Sequence, residues 1–169
     1  MKINTDGVLL GAHANIAAAS RILDIGTGTG VIAMMLAQSH PHAHVDAAEI
    51  DREACRQAAA NFKASPYADR LHIIAGPFQE MVPSTLYDLI VSNPPFYTNS
   101  LHNPDPRRKL AKHTDNKFFE DMLLFVSLHL ASAGEFHFIL PAALANGLVA
   151  DMLPSKGLFL QQEIAIASY

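Results

Sequence analysis

Two rhythms of apolar residues alternate along this chain: short, largely apolar runs broken by single polar residues or alternating with them, and longer stretches in which apolar positions recur every three or four residues. The first rhythm predicts strands at residues 22–25, 45–50, 71–76, 89–91, 135–140 and 158–168. The second predicts helices at 5–19, 31–38, 51–63, 115–131 and 142–153. Inward stripes are expected at Val8, Leu9, Ala12, Ile16 and Ala19, at Ile32, Met35 and Leu36, and at Phe118, Met122, Phe125 and Leu128. Asp6 stands where it can cap the first helix. Strands followed by helices in this order predict an α/β fold with a mostly parallel, doubly wound sheet.

The most informative joint lies between the first strand and its helix. In Arg21-Ile-Leu-Asp-Ile-Gly-Thr-Gly-Thr-Gly30, glycine occupies every second position of the turn. Gly26 and Gly28 remove Cβ atoms where a ligand must press on backbone, and the N–H groups of the following helix face the same ligand. A dinucleotide fold needs its third glycine at position 31, which is Val31. Glu49 ends the next strand, 19 residues past Gly30, where a carboxylate can take both hydroxyls of a ribose. Turn and acid together resemble the first two motifs of the class I S-adenosylmethionine-dependent methyltransferases. That resemblance implies a Rossmann-like fold and a cofactor site drawn from Asp24, Gly26, Thr27, Gly28, Gly30, Glu49 and Ile50. Thr5 and Asp6, ahead of the first strand, are placed to reach the methionine end of the cofactor. The family usually has an acid after the third strand to meet the adenine amine. Pro77 stands there instead, which leaves the backbone N–H and ring of Phe78 to cover the adenine.

Composition narrows the class. With 169 residues, half of them hydrophobic, the chain is expected to bury one core and form one domain. It has a single cysteine, Cys55, read as a small buried apolar residue, so no intramolecular disulfide is possible. No apolar run approaches the ~20 residues of a membrane span, and the start carries no secretory pattern, so a cytoplasmic setting is expected. His40, His42 and His44 alternate around Pro41 without a supporting cysteine, and no metal is expected there. The net charge is −4, but residues 99–117 hold five Lys or Arg against two Asp. A basic loop on an acidic body suits a protein that meets phosphate at one place.

Asn93-Pro94-Pro95-Phe96 follows the fourth strand, on the sheet edge where such folds bind ligands. The tetrapeptide suits methyl transfer to a planar amine. Asn93 Oδ1 and the Pro94 carbonyl can accept the amine's two hydrogens and turn its lone pair toward the donor. Pro95 has no N–H to occupy that carbonyl, and Phe96 offers a face for a flipped base.

Lys2-Ile-Asn-Thr-Asp-Gly-Val-Leu-Leu-Gly-Ala12, the glycine turn, Ser92-Asn-Pro-Pro-Phe96, and Pro104-Asp-Pro-Arg-Arg108 through Ala111-Lys-His-Thr114 resemble the bacterial tRNA adenine-N6 methyltransferases that modify valine tRNA beside the anticodon. The resemblance implies a tRNA adenine substrate, S-adenosyl-L-methionine as donor and S-adenosyl-L-homocysteine as product. It implies that Arg107, Arg108, Lys109, Lys112 and His113 guide RNA. It also implies residues before Met1 and after Tyr169, including a terminal antiparallel strand for which no segment remains. Two other readings stay open: methylation of a different planar amine, such as guanine N2 of ribosomal RNA or a release-factor glutamine, and a cofactor-binding fragment without turnover.

Overall fold

The structure, a computed structural model, describes residues 5–94, 107–148 and 152–167, with main chain only for 107–116 and 143. It forms two compact units, Met1–Pro94 with His129–Ile139, and Pro95–Leu128 with Leu140–Tyr169.

The first unit contains the sheet. Its elements are α1 (Thr5–His13), β1 (Arg21–Ile25), α2 (Val31–Ser39), β2 (His44–Glu49), α3 (Arg52–Ala64), β3 (Leu71–Ala75), β4 (Tyr87–Ser92) and β5 (Leu130–Phe138). A short 3-10 turn at Phe78–Glu80 follows β3. Strand order is β3-β2-β1-β4-β5, and every pairing is parallel. The chain lays β2 and β3 on one side of β1 and then returns to lay β4 on the other. This reversal opens a crevice at the carboxyl ends of β1 and β4.

One face of the sheet packs against the helices. Ile22, Val45, Ala47, Leu89 and Val91 join Leu10, Ile32, Leu36, Ala58 and Phe62 in a single core. Leu23, Ile25 and Ile90, which alternate with them, are buried as well, as a parallel sheet requires. Arg70 closes the end of α2 by donating to the carbonyls of Ala37, His40 and Ala43 at 2.8–3.0 Å. Its planar fork supplies the donors that a helix C-terminus lacks. At the same, amino-terminal edge of the sheet, Asp88 Oδ2 accepts from Ser20 N, Ser20 Oγ and Arg21 N at 2.8–3.0 Å. This carboxylate ties the starts of β1 and β4 together.

Several boundaries differ from the sequence reading. The first helix stops at His13 instead of running to 19, because the Ile16 N–H turns to the imidazole Nε2 of His40 at 3.2 Å. Its buried face is Gly7, Leu10 and Gly11, whereas Val8 is exposed. Close packing explains the shift: a Cβ on Gly11 would stand 2.8 Å from Met35 Sδ on α2. β5 starts five residues before the predicted 135, and its register with β4 shifts between Tyr87 and Leu89.

The second unit carries α4 (Arg107–His129, its last residue falling in the first unit) and α5 (Ala142–Gly147). α4 begins well ahead of the predicted residue 115, so residues 107–117 of the basic window are helical and not a loop. After Pro106 the sequence contains no proline or glycine until Gly134, and nothing delays the helix. Among its described side chains, from residue 117 on, Phe119, Met122, Leu123, Phe125 and Val126 are buried while Leu128 is exposed; the stripe is rotated from the one expected. Of the predicted helix 142–153, Ala142–Gly147 is α-helical and Leu148 and Met152 are π-helical, residues 149–151 lie outside the described ones, and a 3-10 turn follows at Pro154–Lys156. Residues 158–167 form no strand, and Phe159 is 82% exposed, so the described sheet has five strands instead of six. Alternating apolar residues there supply a strand pattern but no paired backbone.

The Asp88 bracket is testable. The three bonds hold its carboxyl below the usual carboxylate range, against the opposing effect of partial burial. Replacing Asp88 with Ala is expected to cost about 1–3 kcal/mol in urea unfolding at pH 7. Because the folded-state value is depressed, that difference should shrink as pH falls through the carboxylate range. An unaltered midpoint at pH 7 would remove the bracket from the account.

Candidate active site at the carboxyl edge of the sheet

β1 pairs with β4 so that Ile25 stands beside Ser92, and with β2 so that Ile25 stands beside Ala48. The glycine turn, Asn93 and Glu49 therefore leave three adjacent strands at one level. Ser92 Oγ donates to Ile25 O at 3.0 Å, and the N–H groups of Gly26 and Thr27 both donate to Ala48 O at 2.9 and 3.0 Å.

The turn has the backbone that its glycines permit. Gly26, Gly28 and Gly30 adopt φ of 74, 59 and 86°, a region that L side chains avoid. A Cβ on Gly26 would meet open space, so the floor there is bare backbone facing outward. Gly30 starts α2, which has no side-chain cap and no acid in its first turn. Those helix-end donors suit an electron-rich ligand.

Two carboxyl groups flank the turn. Glu49 Oε2 accepts from Gly28 N at 2.8 Å and its Oε1 accepts from Asp51 N at 2.9 Å. Each oxygen keeps lone pairs for a further donor, so the carboxylate is fixed in place without being used up. Asp51 also caps α3 by accepting from Ala54 N at 2.8 Å, which starts that helix beside the site. Cys55, buried as expected, donates its S–H to Glu49 O at 3.2 Å.

Asp24 is fully buried and accepts from Thr27 Oγ1 at 2.6 Å through Oδ2, while its Oδ1 has no hydrogen-bond partner. Burial pushes its carboxyl up to about 7; the Thr27 hydrogen bond and the Ala33 N–H oppose this, and the charge of Glu49 adds to it. An orphaned buried acceptor is costly, and a cationic donor would relieve it.

Ile50 is 71% exposed just past Glu49, and Phe78 is buried in the 3-10 turn after β3. Pro77 caps that turn in extended conformation, so no side-chain carboxylate stands at the position. Asn93 is half-buried and Pro94 buried at the end of β4. Thr5 and Asp6 are exposed in the first turn of α1, where Asp6 lies inside the helix. Pro95 and Phe96 lie outside the described residues, as do the side chains of Arg107, Arg108, Lys109, Lys112 and His113.

Among the described residues no group of His, Cys, Asp or Glu is arranged to hold a metal. His40 is instead buried, with Nδ1 3.0 Å from Leu36 O and Nε2 accepting from Ile16 N. A backbone N–H only donates and a carbonyl only accepts, so this ring is the neutral Nδ1–H tautomer in a structural role. No described helix is long and apolar enough to cross a membrane.

Motif reading missed two residues on α3. Asn61 Nδ2 donates to Thr29 O at 2.8 Å, and the Phe62 ring fills the space that a Cβ on Gly30 would need. The available signal was an asparagine inside an alanine-rich helix, a poor helix former where alanine would serve.

Asp24 yields a measurable pH dependence. Its folded value of about 7 exceeds the ordinary 3.8, so its contribution to stability is complete below about 4 and lost as pH rises to about 7. Asp24→Asn removes that loss. The cofactor-free variant is expected to gain on wild type by up to roughly 4 kcal/mol between those limits, and the gain should level off above them. A constant difference across this range in chemical unfolding would contradict the buried, neutralised carboxyl.

The chain matches the family model described as "Methyltransferase small domain" over residues 4–141. It is 51% identical over 158 residues to a protein of Pedobacter heparinus named tRNA1(Val) (adenine(37)-N6)-methyltransferase, covering 94% of this chain and 67% of that protein. A Bacteroides fragilis protein of the same name is 43% identical over 169 residues, covering 98% of this chain and 70% of the relative. Among solved structures, a precorrin-6y C5,15-methyltransferase from Geobacter metallireducens aligns with TM-score 0.64 at 14% identity, over 89% of this chain and 70% of that one. That likeness shows the class I methyltransferase fold expected from the sequence, here with five parallel strands. By these matches the chain belongs to the methyltransferase small-domain family, among the tRNA1(Val) (adenine(37)-N6)-methyltransferases.

Proposed function

We propose that this protein moves the methyl group of S-adenosyl-L-methionine to the exocyclic N6 of an adenine in tRNA, the adenine at position 37 of a valine tRNA as in the relatives' names. One observation carries the reading: the glycine turn and Asn93-Pro94 leave neighbouring parallel strands at the same edge, in register at Ile25 and Ser92. A donor and an acceptor seated on those two loops share one crevice.

The residues present suit the cofactor. Gly26 offers bare backbone, Glu49 keeps acceptor capacity for ribose hydroxyls, and the orphaned Oδ1 of Asp24 suits an ammonium. Gly28, Thr27 and Gly30 shape the turn, Ile50 and Phe78 supply apolar surface for an adenine, and Thr5 and Asp6 serve the methionine end. S-adenosylmethionine, when bound, supplies an electrophilic sulfonium methyl.

Asn93 Oδ1 and the Pro94 carbonyl accept the two N6 hydrogens of the target base. Those bonds pull the amine out of conjugation and hold its lone pair for in-line attack. Pro95 leaves the Pro94 carbonyl without a local donor, and Phe96 stacks on the flipped base. Arg107, Arg108, Lys109, Lys112 and His113, on the first turns of α4, contact RNA phosphates. Residues 1–169 act as one catalytic domain, in keeping with a family match that runs past Pro94 to residue 141. The setting is cytoplasmic, where tRNA is modified, and no metal takes part.

Labelled cofactor incubated separately with bulk tRNA, ribosomal RNA and release factor tests the proposal. Label is expected in tRNA, as N6-methyladenosine after digestion. Label in guanine or in the release factor, or none anywhere, would overturn it. Asn93→Ala is expected to lower turnover about 100-fold or more while S-adenosylhomocysteine binding changes little. Turnover within a fewfold of wild type would remove Asn93 from the chemistry. Arg107→Glu with Arg108→Glu should weaken tRNA binding and flatten its salt dependence, since about two fewer phosphates are neutralised. An unchanged slope of affinity against salt would take the start of α4 out of the RNA interface.

A further inference from the structure

We infer that Asn61, on α3 and outside every motif, is a positioning residue that locks the glycine turn in its binding shape before any ligand arrives; this rests on reading that turn as the cofactor seat. Its amide is engaged at both ends. Nδ2 donates to Thr29 O at 2.8 Å, and Oδ1 accepts from Gln57 Nε2 at 2.9 Å, one helical turn earlier. Thr29 O can only accept, so the amide nitrogen must face it. On the other side of the same peptide, Gly30 N–H donates to Thr27 O at 3.0 Å.

The Thr29–Gly30 peptide is therefore held at both its oxygen and its hydrogen. Rotation of this peptide is the motion to which a turn with glycines on both sides is most prone. The next residue on α3 closes the remaining freedom. The Phe62 ring stands against Gly30, where a Cβ would collide with its Cε1. Asn61 thus couples the helix that begins beside Glu49 to the turn that faces Glu49. An asparagine is a weak helix former, and Ala58, Ala59 and Ala60 precede it, so local preference does not account for it. Its bond to the turn does.

When a binding shape is only partly populated, the apparent dissociation constant rises by the inverse of the populated fraction. Loss of the amide should act through that fraction and not through the chemistry. Asn61→Ala is expected to raise the dissociation constant of S-adenosylhomocysteine, measured by calorimetry, about tenfold. The KM for cofactor should rise with it, and kcat at saturating cofactor should stay within about twofold. Asn61→Asp keeps the shape but replaces the donor with an oxygen facing Thr29 O, and should do at least as much harm.

A second readout needs no cofactor. Amide hydrogen exchange at Gly30 in the ligand-free variants should speed up relative to wild type, while exchange in β1 and β4 stays as it was. Unchanged affinity together with unchanged Gly30 exchange in both variants overturns the inference. So does a matched fall in kcat and affinity with faster exchange throughout the sheet, the signature of general destabilisation. If the wild-type chain itself fails to bind S-adenosylhomocysteine, the cofactor reading falls, and Gly30 exchange alone decides whether Asn61 holds the turn.

Discussion

Parallel pairing of β1 with β2 on one side and with β4 on the other is the constraint from which the rest of the site follows. A parallel register fixes which residues end at the same level, and here it aligns Ile25 with Ala48 and with Ser92. The loops that leave those strands must open into one crevice. The donors of the glycine turn, the Glu49 carboxylate and the Asn93-Pro94 carbonyls are brought together by backbone hydrogen bonds, without contact between their side chains being required. Residues far apart in sequence become neighbours because hydrogen-bonded strands stand about 5 Å apart.

Around that register the site is stiffened in an economical way. The Glu49 carboxylate accepts one N–H from the turn and one from the start of α3, so a single side chain joins two elements and retains lone pairs for a ligand. Asp24 is the opposite case. Its carboxyl is buried, one oxygen has no partner, and its proton affinity is raised toward neutrality. Strain of this kind persists where a bound group compensates it. A satisfied acid and an unsatisfied one, either side of three glycines, suit the cofactor of the proposed function, which carries both hydroxyls and a positive charge.

Much of this was legible in the sequence because it depends on local rules. Glycine spacing encodes positive φ, apolar runs encode buried strands, and the acid at the end of the second strand encodes a level in the sheet. What the sequence hid depends on tertiary partners. The end of α1 is set by His40, which lies 24 residues beyond Ile16. Its inward face is lined by Gly7 and Gly11, invisible to a search for large apolar residues. α4 starts early because nothing after Pro106 breaks it, although its basic first turns read as a loop. Residues 158–167 carry a strand's alternation, but pairing is a property of two segments and not of one. Asn61 escaped for a related reason: its function lies in reaching a turn 32 residues away.

The most direct test of the account is a crystal structure with S-adenosylhomocysteine and a tRNA anticodon stem-loop. The expected result is an extruded adenine whose N6 lies within hydrogen-bond distance of both Asn93 Oδ1 and the Pro94 carbonyl, in line with the sulfur of a cofactor seated over residues 26–30. A cofactor bound away from that turn, or a target base whose amine meets neither acceptor, would contradict the claim that one sheet edge brings donor and acceptor together.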